Sequence, residues 1–276
     1  MTTPGRPFAG NIDRVDAWAD SSGTASGSSS HADSCSIASG SSSHADSHGT
    51  ASCNSSHADS SGTASGSYSH ADSSGTAHGN SSHADSRGAA CCTHSHADSG
   101  GTASGYYSHA DSYGTASGSC SQGHGNGVAR YTATTAEGTV STDISGDAQA
   151  ARYKLSGVTT DDTPMELFAD RSSMEIVVPP KSCWQFMAQI VAYDVDDSYG
   201  KGWFIRGAIR SNSLGAVTPL GTLVQDTAWG DAGLATADAV ITAANGALVL
   251  TVTGLAGKTI RWTAVIHTVE AAVLVV

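Results

Sequence analysis

Between residues 18 and 121 the chain nearly lacks large apolar side chains, and its regular apolar positions are alanines at fixed intervals in a polar background. Ala32, Ala45, Ala58, Ala71, Ala84, Ala97 and Ala110 are thirteen residues apart, and a second alanine follows each by six, from Ala38 to Ala116. A histidine precedes every alanine of the first column (His31, His44, His57, His70, His83, His96 and His109), and Asp and Ser follow it. A fixed period with fixed columns is the signature of a solenoid. Strand side chains alternate faces, so an inward alanine sends its flanking His and Asp outward together. The pattern predicts one coil per repeat, with short strands at Ser-His-Ala-Asp and Thr-Ala-Ser joined by turns rich in Gly and Ser. Thirteen residues enclose only a thin interior, which suits Ala and Ser. A degenerate copy starts at Trp18, and Ser121-Gln122-Gly123 begins a decaying one.

Such a composition alone reads as a flexible linker. A linker needs no register, however, and here the register is kept. The column holding Cys35, His48, Ser61, Arg87, Gly100 and Tyr113 varies beside invariant ones, which separates an outside from an inside.

Past about residue 127 the pattern becomes that of longer alternating strands. Strand-like stretches cover 165–168, 174–178, 183–193, 203–209, 239–243, 247–253 and 260–269. Trp184, Phe186, Ala188 and Ile190 share one face, and Trp203, Ile205 and Ile209 stand opposite Phe204, Arg206 and Arg210. Asn245-Gly246 is a strong hairpin signal. Helical periodicity is nowhere sustained, and there is no heptad pattern. The expected architecture is all-β, a solenoid followed by a jelly-roll-like sandwich. The divisions are a leader at 1–16, a solenoid shaft at 17–123, a neck at 124–163 and a sandwich tip at 164–276. Several tip strands are apolar on both faces, as in Trp184 and Phe186 against Met187 and Val191, which predicts chain–chain contact.

The Ser-His-Ala-Asp repeats over about residues 17–122 resemble the head repeats of trimeric autotransporter adhesins, and more closely the Ser-His-Ala-acidic repeats of phage tail-fibre proteins. That resemblance implies a left-handed β-roll with three chains side by side. The stretch Leu255-Ala256-Gly257-Lys258-Thr259-Ile260-Arg261-Trp262, with Thr160-Asp161-Asp162-Thr163-Pro164, resembles the C-terminal domains of phage and prophage tail fibres. Together they imply a homotrimeric tail-fibre or receptor-binding protein of a phage or phage-tail-like particle. Its leader would dock on a tail or baseplate protein, and its tip would meet a bacterial surface glycan or protein. The alternatives are an autotransporter-type adhesin, which should carry a signal peptide and a membrane anchor, and an ice- or metal-binding solenoid.

Net charge is −12, which argues against a nucleic-acid partner. No apolar run approaches a membrane span, and no secretory signal is seen at the start. We therefore expect synthesis in the bacterial cytoplasm, a place in a virion tail or extracellular tail-like particle, and no membrane insertion. The six cysteines match no zinc spacing, and they are read as reduced. No cofactor is implied.

Ser-His-Ala-Asp-Ser contains the ingredients of a hydrolytic triad, but seven copies make no sense for a site that needs one pocket. The chain is accordingly expected not to be an enzyme. The seven column histidines could instead hold transition metals. The expected arrangement is a hydrogen-bonded ladder in which each His offsets the Asp column, because like charges at strand spacing repel. That pairing should raise the histidine pKa. Receptor binding is assigned to two tip loops, with Tyr193, Asp194, Asp196, Asp197 and Tyr199 in one and Trp229 and Asp231 in the other. Aromatic rings stack on pyranose faces, and carboxylates accept hydroxyl hydrogens.

Overall fold

A computed structural model describes residues 11–12, 16–20, 22–138 and 148–272. The chain divides into two compact units, 1–125 and 126–276. Most of the predicted leader and the apolar tail at 273–276 lie outside the described residues.

The first unit is a two-sheeted parallel solenoid. One sheet stacks the His-Ala strands, from Trp18–Ala19 through His31–Ala32 and its successors to Gln122–Gly125, and the other stacks the Thr-Ala strands, from Asn11–Ile12 to Thr115–Ala116. Each strand pairs with the strand thirteen residues away, so His70 faces His83 and Ala71 faces Ala84. The ladder bonds are short: His70 N–H donates to Ser82 O at 3.0 Å and Asp72 N–H to Ala84 O at 2.9 Å. Asn11–Ile12 pairs with Thr24–Ala25, so the stacking already includes residues read as leader.

Only small side chains fit between the two sheets. Ala71, Ala77 and their column mates are fully buried, as is the serine before each histidine. Those serines donate back into the wall, Ser69 Oγ to Gly66 O at 2.5 Å and Ser82 Oγ to Gly79 O at 2.6 Å. This satisfies polar groups that would otherwise be costly to bury.

Glycine placement was read as turn chemistry, and the structure corrects this. At the turn after each Asp, both central residues have positive φ, yet neither is generally glycine: Ser73 has φ 46° and Ser74 φ 71°. That is the φ pattern of a type I′ turn, closed by Gly75 N–H donating to Asp72 O at 2.6 Å. In six of the seven copies a glycine comes one place later, with Ser36 in the first, and a Cβ on Gly75 would lie 2.2 Å from Ala84 O. Glycine is kept here because the walls of a thin coil approach each other, not because the turn needs its φ.

The second unit is a sandwich of two antiparallel sheets. Past the two-residue strand Val128–Ala129, its strands are β1 (Thr135–Gly138), β2 (Ala148–Thr159), β3 (Met165–Leu167), β4 (Ile176–Val177), β5 (Ser182–Asp194), β6 (Gly200–Ser211), β7 (Val217–Pro219), β8 (Val224–Gly230), β9 (Asp238–Ala244), β10 (Ala247–Thr253) and β11 (Ile260–Ala272). The larger sheet runs β1-β2-β11-β5-β6-β7, with β8 also on β6; in the smaller, β10 pairs with β3, β4 and β9. Strand β11 is the spine, bonded to β2 from Ala271 to Ile260 and to β5 from Ala272 to Ile260.

Strict alternation builds the core. Trp184, Phe186, Ala188 and Ile190 of β5, Trp203, Ile205 and Ile209 of β6 and Ile260, Trp262 and Ile266 of β11 pack with Leu248, Leu250 and Val252 of β10. Trp262 Nε1 donates to Thr159 Oγ1 at 2.9 Å, so its polar edge is not stranded. The hairpin at Asn245 (φ 52°) and Gly246 (φ 81°) forms as expected. Strand β2 falls inside the stretch read as a neck. Its alternation of Ala151, Tyr153 and Leu155 against Arg152 and Lys154 places it within the large sheet, beside the spine.

Candidate functional site

Three places gather the side chains that could carry function. The first is the histidine column of the shaft. Imidazole centroids from His31 to His109 lie 4.6–4.8 Å apart. Beside them, Nε2 and the Asp Oδ2 two residues on are 3.1 Å apart at His44–Asp46, 3.2 Å at His57–Asp59, 3.0 Å at His83–Asp85, 3.3 Å at His96–Asp98 and 3.5 Å at His109–Asp111. Proximity does not make the predicted bonded ladder, however. The His44–Asp46 contact is a hydrogen bond, whereas Nε2 of His31, His57, His83 and His109 has no hydrogen-bond partner. The expected rise in histidine pKa is also corrected, at His70. Burial lowers that pKa, His83 and His57 lower it further, and together they outweigh Asp85 and Asp72.

The second place is the pair of tip loops assigned to the receptor. Their carboxylates are largely engaged within the chain. Asp194 is fully buried and accepts from Asp196 N–H at 2.9 Å. Asp196 accepts from Thr259 N–H at 2.8 Å, Asp197 pairs closely with Lys258 Nζ, and Asp231 accepts from Gly200 N–H at 2.8 Å. The Asp197 bond raises the Lys258 pKa. These residues therefore brace the β5–β6 turn. Tyr193, Tyr199 and Trp229 do remain exposed at their rims. Trp229 lies over Gly200 and Gly202, where any Cβ would strike its ring at 2.8 and 2.7 Å.

The third place was not singled out from sequence: the outer face of the large sheet. Register sets Arg152, His267, Met187 and Arg206 in one row across β2, β11, β5 and β6, and Lys154, Val265, Gln189 and Phe204 in the next. Arg261 stands between Val158 and Tyr193, and Arg210 beside Cys183. Five of the thirteen Lys and Arg residues thus share one exposed face of a chain with net charge −12. Those four strands place no carboxylate on that face; the adjacent Asp226 is 3.9 Å from Arg206, both of them well exposed. An exposed pair of this kind contributes little.

Two grooves flank the face. One, of about 520 Å³, is lined by Arg171, Arg261, Glu166, Phe168 and Val158; the other, of about 420 Å³, by Arg206, Gln185 and Thr222. Either could take a sugar ring with a guanidinium at its edge. The signal was present in sequence as basic residues at alternate strand positions. Only the strand order brings them side by side.

The large sheet also encloses a polar knot. Glu270 accepts from Tyr153 Oη and Gln149 Nε2, each at 2.7 Å, and from Thr268 Oγ1 at 2.5 Å. Burial raises the Glu270 carboxyl above its ordinary range and, with Glu270 beside it, raises the Tyr153 phenol. The adjoining cavity holds about 20 Å³, room for one water rather than a substrate.

No family model and no curated protein matches the chain. Among solved structures it is similar to the tailspike protein gp49 of Acinetobacter baumannii bacteriophage Fri1, a capsular polysaccharide depolymerase. Identity is 14%, the match covers 50% of this chain and 20% of that one, and the TM-score is 0.26. It is likewise similar to the tailspike protein of Acinetobacter phage vB_ApiP_P1, at 13% identity over 44% of this chain and 22% of that one, with a TM-score of 0.26. The chain spans about a fifth of each. The expectation that the protein is not an enzyme is withdrawn; the first of these similar proteins is described as a depolymerase, which is an enzyme. Repetition disposes only of the His/Asp pair as a catalytic site and says nothing of groups that folding brings together.

Proposed function

We propose that this chain is a receptor-binding protein of a phage tail or phage-tail-like particle, with the solenoid as shaft and the sandwich as tip. The tip would bind an anionic glycan of the bacterial surface across the outer face of its large sheet. The observation that carries this reading is the gathering of Arg152, Lys154, Arg206, Arg210 and Arg261 on one exposed face of a strongly acidic chain. Guanidinium groups pair with carboxylates in a fixed fork, and the exposed Phe204, Tyr193 and Trp229 rings supply flat apolar surfaces beside them. The resemblance of both units to tail-fibre proteins supports the setting.

The native state is proposed to be a homotrimer, since a coil interior of Ala, Gly and Ser buries little apolar area by itself. The outer tip face had been read as chain–chain contact. Five cations turned toward a common axis would repel, so that face is assigned to the ligand and the chain–chain contacts to the shaft. A jelly-roll-like tip, an N-terminal link to a tail protein and a bacterial receptor belong to the same proposal.

The test is binding of the full chain to a carboxylate-bearing bacterial polysaccharide and to a neutral one, with reducing ends measured in the same tubes. Preference for the acidic polymer, falling at least tenfold in the Arg152→Gln/Arg206→Gln/Arg261→Gln variant and with added salt, is expected. Equal binding to both polymers would refute the site.

A further inference from the structure

The shaft face that carries the histidine column has a second property that receptor binding does not use. Buried polar atoms in folded proteins nearly always find a partner. On this face two kinds of atom repeatedly lack a hydrogen bond, Nε2 of His31, His57, His83 and His109 and Oδ1 of Asp46, Asp85 and Asp98, although Nε2 of His57, His83 and His109 lies 3.0–3.5 Å from an Asp Oδ2. The histidines fall in every second coil and the aspartates in three of the seven, so the feature is shared by several rungs and is not an accident of one. Neutral imidazole nitrogens and carboxylate oxygens both offer lone pairs, and a cation between them would satisfy both at once.

The geometry brings these atoms within reach of one ion. The donor atoms of His31, His44 and Asp46 all lie within 4.8 Å of one another, and so do those of His96, Asp98 and His109. Each set combines imidazoles from adjacent coils with a carboxylate. Tetrahedral zinc at about 2.0–2.2 Å from each ligand asks for donors roughly 3.4 Å apart. A modest rotation of imidazole rings that are half exposed would close that gap. Two nitrogens and one oxygen suit zinc, nickel or copper better than calcium or magnesium, which prefer oxygen alone. Three protein ligands also leave a position open, as in zinc sites that bind a further group.

We propose that the His/Asp face of the shaft is a binding site for divalent transition-metal ions, each ion held by two imidazoles from adjacent coils and one carboxylate. The two three-donor sets, near His44 and near His109, would be the strongest sites on the ladder. An ion bridging adjacent coils would tie the His-Ala sheet together through side chains as well as through its backbone bonds.

The experiment uses the full chain, stripped with a chelator and titrated with zinc chloride and with nickel chloride by calorimetry. X-ray absorption then reports the shell around bound zinc. At least two ions per chain are expected, with a shell of nitrogen and oxygen that includes imidazole. The His44→Gln/His109→Gln variant, which retains side-chain size and polarity, is expected to bind the first two ions at least tenfold more weakly. Should that variant lose its strand signal in circular dichroism, Asp46→Asn/Asp98→Asn tests the same two sets, and the wild-type spectrum stands regardless. No binding would overturn the proposal. A shell containing sulfur would also overturn it, by placing the ion on the cysteines. So would undiminished binding in folded variants, which would place the ion on histidines outside the column, such as His48 or His267.

Discussion

The shaft and the tip solve the same problem, burying a β-sheet face, with opposite materials. In the tip, Trp184, Trp203, Trp262 and Phe186 fill the space between the sheets, so cohesion comes from large apolar side chains. In the shaft the walls are so close that Ala, Gly and Ser are all that fits, and cohesion rests on the backbone ladders from coil to coil. The difference teaches where each unit tolerates change. The tip should respond to lost volume, and the shaft to added volume.

The largest expected effect tests the tip's side of this contrast. Trp262→Ala removes a buried ring packed 5.5 Å from Trp203 and leaves Thr159 without its donor. A loss of about 3–5 kcal/mol is expected for the tip, read as a shifted transition in calorimetry while a separate shaft transition stays in place. A single transition that moves as a whole would show that the two units do not melt independently.

Gly75→Ala is the shaft's counterpart and adds one methyl group. Its Cβ would meet the Ala84 carbonyl oxygen at 2.2 Å, an atom of the neighbouring backbone that cannot swing aside. A loss of about 3 kcal/mol is expected, at the upper end for overpacking. A neutral result would show that the coil walls can spread.

One residue earlier, the opposite substitution should be favourable. Ser74 holds φ 71°, which costs an L-residue about 1–2 kcal/mol. Ser74→Gly relieves that cost but enlarges the unfolded ensemble, so a net gain below about 1 kcal/mol is expected. Chemical denaturation resolves it, and a loss would mean that the serine contributes more than its backbone suggests.

The smallest effect concerns pH in the tip. Because burial raises the Glu270 carboxyl, the native state keeps that proton to higher pH than the unfolded chain. Stability is then lost as pH rises from the ordinary carboxyl value of about 4.3 through the raised one. Glu270→Gln removes the ionisation while leaving an acceptor for Tyr153 and Thr268. Its thermal midpoint is expected to match that of the parent near pH 4 and to exceed it at neutral pH. A constant offset at both would assign the difference to packing.

The repeat's period, its inward alanines and the alternation of the long tip strands were all legible in the sequence, because each depends on local periodicity. Ala71 is buried wherever its coil stacks, and Trp184 and Phe186 share a face in any strand. The strand at Ala148–Thr159 showed in the sequence only as a weak alternation at 151–155, in a neck where strands re-pair, and its place next to the spine depends on pairing with residues more than a hundred positions away. The same reason hid the basic face. Arg152 and Arg206 lie on different strands and become neighbours only through the order β2-β11-β5-β6. Strand order is set by which long edges find complementary partners, and no local pattern records it. The histidine column shows the division most simply: the period of thirteen placed the imidazoles in register, but ring orientation and hydrogen-bond angle left Nε2 without a hydrogen bond at alternate rungs, from His31 to His109. Those angles follow from how closely the coils stack, and only the folded chain decides that.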